Sequence, residues 1–334
     1  MLRISADKMR ETFSTVLQQA GFPIEKADAC ATIFTENSCD GVYTHGLNRF
    51  PVFVEMVRQG LVDSNAEPAL ISKNGLIEQW DGKLAPGMLN GKHCMGRAIA
   101  LAETSGIGCV AIRNTNHWMR GGTYGWQAAE SGYIGICFTN TIANMPPWAG
   151  TDPRLGNNPL VIAVPRKQGH VVLDMAMSQF SFGKLLQYQS EGSALPLAGG
   201  YDQQGQLSTD PGAIIQSQRL LPVGFWKGSG LSLMLDLLAT ILSGGRSTSE
   251  ITAAGKEYGI SQVFICIKPE DPHLCETLTE QIITYTKSST PEDAENPVSY
   301  PGEHTLKTRR ENQAAGIPVD KKIWNEVLQM LQQT

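Results

Sequence analysis

The chain has 334 residues, 41% hydrophobic and 18% charged, enough for one large or two ordinary soluble domains. Its formal net charge of −5, with no basic run, lacks the footprint that binding to a phosphate backbone requires, so no nucleic-acid partner is expected. The seven cysteines include no C-x-x-C pair, which argues against a zinc site or disulfide framework and for a reducing, cytoplasmic setting.

Ser5 is placed to cap a first helix in which Met9, Phe13, Val16, Leu17 and Ala20 recur at helical spacing, and Gly21 supplies its left-handed stop. This opening is amphipathic rather than a basic stub before an apolar block, so no export signal is read there. Pro23 suits the first turn of a second helix through Ile24, Ala27, Cys30, Ile33 and Phe34, and a third runs from about Pro51 to Gly60.

After Pro68 the period changes. Runs at 69–72 and 76–80 flank Asn74-Gly75, a two-residue hairpin signal. A helix from about Met88 to Ser105 leads into a strand from Cys109 to Arg113, and further strands are expected at 133–139, 160–164, 171–175 and 263–267. Helices are expected at 122–130, 180–188, 229–242, 274–286 and 320–331. The most apolar run, Leu231 to Leu242, is interrupted by Asp236 and too short for a bilayer, so it reads as a buried helix and no membrane partner is expected. The fold class is α/β, divided into an N-terminal helical unit (residues 1–65) and a mixed α/β body (residues 66–334) that could itself comprise two subdomains.

The stretch between the second and third helices, Asp40-Gly41-Val42-Tyr43-Thr44-His45-Gly46-Leu47-Asn48-Arg49, concentrates chemistry. Gly41 and Gly46 free the backbone around His45, whose ring can give or take a proton near neutral pH, and Arg49 can grip a carboxylate with two parallel hydrogen bonds. A small acidic substrate would suit this pair. A second polar cluster, Asn114 to Gly122, leaves a strand and enters a helix with His117 at its centre; it could equally be a hydrogen-bonded turn. Asp174 ends the apolar run Val171-Val172-Leu173, where a carboxylate is costly unless paired, and a histidine is a natural partner, although a helix cap is the plainer alternative.

Standard nucleotide motifs are absent. Gly106-Ile107-Gly108 enters a strand instead of leaving one, and Gly228-Ser229-Gly230 opens a helix but has Leu233 where a third glycine belongs; it could still face a phosphate.

Taken together, Thr44-His45-Gly46 with Arg49, Asn116-His117, Asp174-Met175-Ala176-Met177-Ser178, Lys227-Gly228 with Gly230-Leu231, and Pro301-Gly302-Glu303 resemble the motifs of the malate/L-lactate dehydrogenase family over essentially the whole chain. Asn116 to Gln127 with Met145-Pro146-Pro147-Trp148 resembles the branch of that family acting on a 2-oxo sugar acid. The resemblance implies a mixed sheet of non-Rossmann topology and a homodimer with its site at the subunit interface. It also implies an oxidoreductase that reduces a 2-oxo acid with NADH; the sequence does not choose between NADH and NADPH. By residue, it implies His45 as proton donor with Asp174 holding its ring, and Thr44, Arg49 and His117 on the substrate. His170, Val171, Val172, Leu173, Asp174, Met175, Ala176, Trp226, Lys227, Pro301, Gly302 and Glu303 would contact the cofactor, with Lys227 and amides near Gly228 for phosphate and Glu303 for a ribose hydroxyl; no metal is implied. Trp118, Trp126, Trp148 and Trp226 would offer apolar surface to the partner subunit or fill the core. The sequence leaves open which of His45 and His117 transfers the proton. Two alternatives are another 2-oxo or imino acid dehydrogenase and a sugar-acid binding protein without turnover.

Overall fold

The computed structural model describes residues 2–332. A short strand, β1 (Leu2–Ile4), precedes α1 (Ala6–Gln19), which Ser5 caps by accepting from the Lys8 amide; α2 (Ile24–Cys39) and α3 (Phe50–Arg58) follow. Their apolar stripes meet in one core. Phe13 stacks on Phe50 with centroids 4.1 Å apart, and Phe34 and Phe53 close around them. Burial of each such ring contributes about 1.5–3 kcal/mol relative to exposure.

The body begins with the hairpin β2 (Ala69–Asn74) and β3 (Ile77–Asp81), in which Asn74 pairs with Ile77, so the turn is Gly75-Leu76, one residue later than the asparagine-glycine signal suggests. Next come α4 (Gly87–Ser105), β4 (Ile107–Thr115), α5 (Gly122–Glu130), β5 (Ile134–Thr139), β6 (Leu160–Val164) and β7 (Val171–Met175). The chain continues through α6 (Phe182–Ser190), β8 (Gly200–Tyr201), β9 (Leu207–Ser208), α7 (Pro211–Ser217), α8 (Trp226–Ser243), α9 (Thr248–Ala253) and β10 (Ile260–Ile267). It ends with α10 (Pro272–Lys287), α11 (Glu303–Ala315), β11 (Ile317–Val319) and α12 (Lys321–Met330).

Seven strands form one sheet in the order β2-β3-β4-β10-β5-β6-β7. Only β3 and β4 run parallel; the other neighbours are antiparallel, which is incompatible with a Rossmann sheet built from parallel crossovers. α4 and α5 cover one face around Tyr124, Trp118 and Phe264, and α8 with α7 covers the other around Leu235 and Ile214. β10 is buried on both faces, as its near-continuous apolar run requires.

Two expectations change here. β11 pairs with β1, and Trp324 and Val327 of α12 pack into the N-terminal core, so the helical unit of residues 1–65 is completed by the far end of the chain. The Leu231–Leu242 run is not a buried helix within a single chain: α8 buries Ser232, Leu235 and Ala239, but Leu233, Met234, Leu237, Leu238 and Ile241 face outward, Ile241 at 70% exposure. Trp118 and Trp126 are core residues, whereas Trp148 and Trp226 are exposed.

Candidate active site

The last turn of α2 holds the loop that presents His45. Asn37 donates from Nδ2 to the His45 carbonyl (3.0 Å), and the Ser38 hydroxyl accepts from the Leu47 amide (2.9 Å). Two short 3-10 turns, Tyr43–His45 and Leu47–Arg49, result. Gly46 lies so close to Ser38 that a β-carbon there would collide with the Ser38 hydroxyl and backbone, which is why this position has no side chain. The Thr44 hydroxyl sits 3.0 Å from His45 Nδ1. Arg49 is half-buried and makes no ion pair within 4 Å among the described residues.

His117 reaches the same place from the end of β4. Asn116 anchors that loop, donating from Nδ2 to the carbonyls of Leu84 (2.7 Å) and Leu61 (3.1 Å), and its own carbonyl accepts from Gln262 of β10 (2.9 Å); its part is structural. Met119 takes a left-handed backbone (φ +64), and its amide donates to His117 Nδ1 (3.0 Å). The His45 and His117 rings then lie nearly parallel, 14° apart in plane and 5.7 Å between centroids. Burial, with the Arg49 and Arg120 guanidiniums beside it, pushes His45 down to about 4. Burial, Arg49 and His45 hold His117 well below the usual imidazole range.

The carboxylate that approaches an imidazole is Glu257, from the loop after α9, with Oε1 4.0 Å from His117 Nε2 and Oε2 accepting from the Ile142 amide (3.1 Å). Burial raises its pKa, opposed by Arg49 and that amide. Sequence reasoning missed it because nothing in Gly255-Lys256-Glu257-Tyr258-Gly259 distinguishes this acid from an ordinary surface charge.

Asp174 does not hold His45, contrary to the sequence expectation. Its Oδ2 accepts from the Gly122 amide (2.7 Å) and lies 3.9 Å from Arg120 Nε, and among the described residues it makes no ion pair with a histidine. The physical reason is a nearer cation: Arg120 and the α5 amide compensate the charge that β7 buries there. Arg120 also pairs with Asp40, which accepts twice more from Arg309 of α11 (2.6 and 2.8 Å). One acid thus ties the residue preceding the His45 loop to the β4–α5 loop, to the neighbourhood of β7 and to α11.

The stretches implied to hold a cofactor converge along β7, one of the two edge strands of the sheet. The Val172 amide donates to the Pro301 carbonyl (2.8 Å), bringing Pro301-Gly302-Glu303 beside His170–Val172. At the other end Val223 donates to the Met177 carbonyl (2.8 Å), placing the start of α8, with Trp226 and Lys227, past Ala176. Gly302 is left-handed (φ +98), and a β-carbon there would press within 3.2 Å of the His170 carbonyl and the Val172 amide. A recess of about 280 Å³ opens beside His170, lined by Trp126, Arg166, Lys167, Arg309 and Arg310. The buried Trp126 indole N–H, on its wall, has no hydrogen-bond partner among the described residues. Glu130 also lines the recess, and Arg166 and Arg309 are paired with Glu280 and Asp40, so Lys167, Arg310 and the unpartnered indole N–H are the groups left to meet an anionic dinucleotide. Two carried-over details are occupied in this structure: the Gly228 amide already donates to the Val223 carbonyl (2.9 Å), and Glu303 pairs with Lys287 while accepting from the Tyr300 amide. Gly228-Ser229-Gly230 is therefore a tight helix start rather than a ready phosphate cradle.

A family model described as malate/L-lactate dehydrogenase matches residues 4–328. The chain is 44% identical over 330 residues to the 2,3-diketo-L-gulonate reductase of Citrobacter koseri, covering 98% of this chain and 99% of that protein. Among solved structures, malate dehydrogenase from Pyrococcus horikoshii superposes with a TM-score of 0.90 at 28% identity, covering 99% of this chain and 95% of that one. Malate dehydrogenase from Entamoeba histolytica shares the fold with a TM-score of 0.94 at 24% identity, covering 99% and 97%.

Proposed function

This chain belongs to the malate/L-lactate dehydrogenase family and is an oxidoreductase; from that premise we propose that it reduces 2,3-diketo-L-gulonate to 3-keto-L-gulonate with NADH. The observation that carries this reading is Arg49: a half-buried guanidinium with no ion pair among the described residues, electrostatically coupled to both imidazoles, suits the carboxylate of a small acid. A reduced nicotinamide along β7 would supply the hydride to C2 of the substrate. The chain's residues do the rest.

Arg49 binds the substrate carboxylate through its fork and fixes the carbonyl relative to His45. His45 donates a proton to the oxygen of that carbonyl as negative charge develops, so hydride and proton together convert C=O to CH–OH. Burial and two guanidiniums disfavour the charged form of His45; an anion seated on Arg49 removes part of that penalty and lets the ring hold its proton where it is needed. His117 cannot share this duty. Its Nδ1 already accepts from the Met119 amide, so a second proton would set two N–H groups against each other. His117 therefore acts as a neutral donor through Nε2, Thr44 steadies the His45 ring, and Asp174 holds Arg120 and the start of α5 rather than the imidazole.

The reading extends to a cytoplasmic homodimer whose partner subunit closes the cofactor cleft. What supports it is the outward apolar face of α8 with Trp148, Phe225 and Trp226 beside it, an area too continuous to be left in water. NADH absorbance, followed with a panel of 2-oxo acids that includes 2,3-diketo-L-gulonate, malate-derived and pyruvate-type acids, tests the assignment with each cofactor. Fastest turnover of the diketo sugar acid with NADH is expected; no oxidation of either nicotinamide by any 2-oxo acid would overturn it.

A further inference from the structure

The proton transfer proposed above does not use Glu257, yet this acid is buried beside His117. Its Oε2 is occupied by the Ile142 amide, which leaves Oε1 open toward His117 at 4.0 Å. On the other side, the Met119 amide fixes His117 as the tautomer whose proton sits on Nε2, so a donor faces an acceptor across that gap. Both side chains are mostly buried, 17% and 19% exposed. The gap is too long for a direct hydrogen bond, but an oxygen about 2.8 Å from each group closes it.

Only some oxygens can. A hydroxyl accepts from His117 Nε2–H and donates to Glu257 Oε1, satisfying both. A carbonyl oxygen leaves Glu257 without a donor, a carboxylate sets like charges together, and a methyl group leaves two buried polar groups unpaired. We infer that Glu257 and His117 form a subsite for a hydroxyl on the substrate's carbon chain, which makes the site select polyhydroxylated 2-oxo acids over alkyl and dicarboxylic ones. This rests on the 2-oxo acid reductase reading above and names the residues that set its substrate class. Glu257 is a specificity-determining residue here, and Arg49, whose charge acts on both Glu257 and His117, takes the carboxylate end of the same substrate.

The test compares kcat/KM for a hydroxylated 2-oxo acid and its deoxy counterpart in the wild type and in Glu257→Gln. The wild type should favour the hydroxylated acid by on the order of 10- to 100-fold, the value of one hydrogen bond to a buried charged group. In Glu257→Gln the amide can turn its NH₂ toward the gap, so two donors face each other and an acceptor-only group is preferred. The preference for hydroxyl should fall about tenfold or more, through KM rather than kcat, while a dicarboxylic 2-oxo acid improves. Thermal protection by L-gulonate against a plain alkyl carboxylate reads the same preference without turnover. Glu257→Leu, with an alkyl 2-oxo acid as its improved substrate, is the second variant. A wild type that treats hydroxylated and deoxy acids alike, or an unchanged ratio in folded Glu257→Gln, overturns the inference while leaving the reductase reading intact. A wild type that reduces no 2-oxo acid at all overturns the parent reading and this one with it.

Discussion

Replacing Arg49 by leucine should have two effects of opposite sign. The substrate loses its carboxylate partner. Two unit charges about 4 Å apart near a protein surface attract by roughly 4 kcal/mol, and hydrogen bonds to charged groups contribute about 1.5–3 kcal/mol each, so a net loss of about 3–4 kcal/mol is expected after desolvation of the guanidinium is counted. That corresponds to a rise in KM on the order of 10²- to 10³-fold. Meanwhile His45 loses a repulsive neighbour. Its pKa of about 4 is set first by burial, then by Arg49 and then by Arg120; leucine leaves the first and third in place, so the value should rise while staying below 6.5. Reduction needs the protonated ring, so activity falls as pH rises through that pKa, and raising the pKa moves the falling limb of kcat/KM to higher pH. A pH–rate profile of wild type, Arg49→Leu and Arg49→Lys is the assay. Lysine keeps the charge and loses the fork, so its limb should stay near the wild-type position while KM rises about tenfold. An unchanged KM in Arg49→Leu would refute the carboxylate assignment, and a limb that stays put or moves to lower pH would refute the electrostatic coupling to His45.

His45→Gln should keep the fold and NADH binding but lose turnover by roughly 10²- to 10⁴-fold, with NADH fluorescence and steady-state rates as the paired measurements. Asp40→Ala strips the shared acid from Arg120 and Arg309 and leaves the buried Arg120 with only the more distant Asp174, which should cost about 3–5 kcal/mol. With roughly 2.1 cal/mol/K of unfolding entropy per residue, a chain of 334 residues should then melt about 4–7 °C lower by calorimetry. On the open face of α8, Ile241→Glu should shift sedimentation toward monomer and weaken NADH binding in parallel; a fully active monomer would exclude a shared site.

The sequence by itself determined what depends on neighbours along the chain. Ser5 and Gly21 bound the first helix because a cap and a left-handed stop are local events, and the strands at 160–164 and 171–175 are legible because two-residue alternation and apolar runs belong to the backbone itself. The loop of Thr44, His45 and Arg49 was legible for the same reason: its chemistry lies within six residues. α11 was not, since Glu303–Ala315 carries almost no apolar periodicity, and its tie to the fold, Arg309 to Asp40, joins residues far apart in the chain. The tertiary structure alone decided the partners of the buried charges. A carboxylate pairs with the cation nearest in space, so Asp174 went to Arg120, and Glu257, 140 residues from His117 in the chain, became the acid that faces its ring. It also decided the fate of α8. A largely apolar run shows that a helix must be covered, but whether its own chain or a second copy covers it depends on how much of that surface the sheet can reach, and here the sheet reaches only the side with Ser232, Leu235 and Ala239.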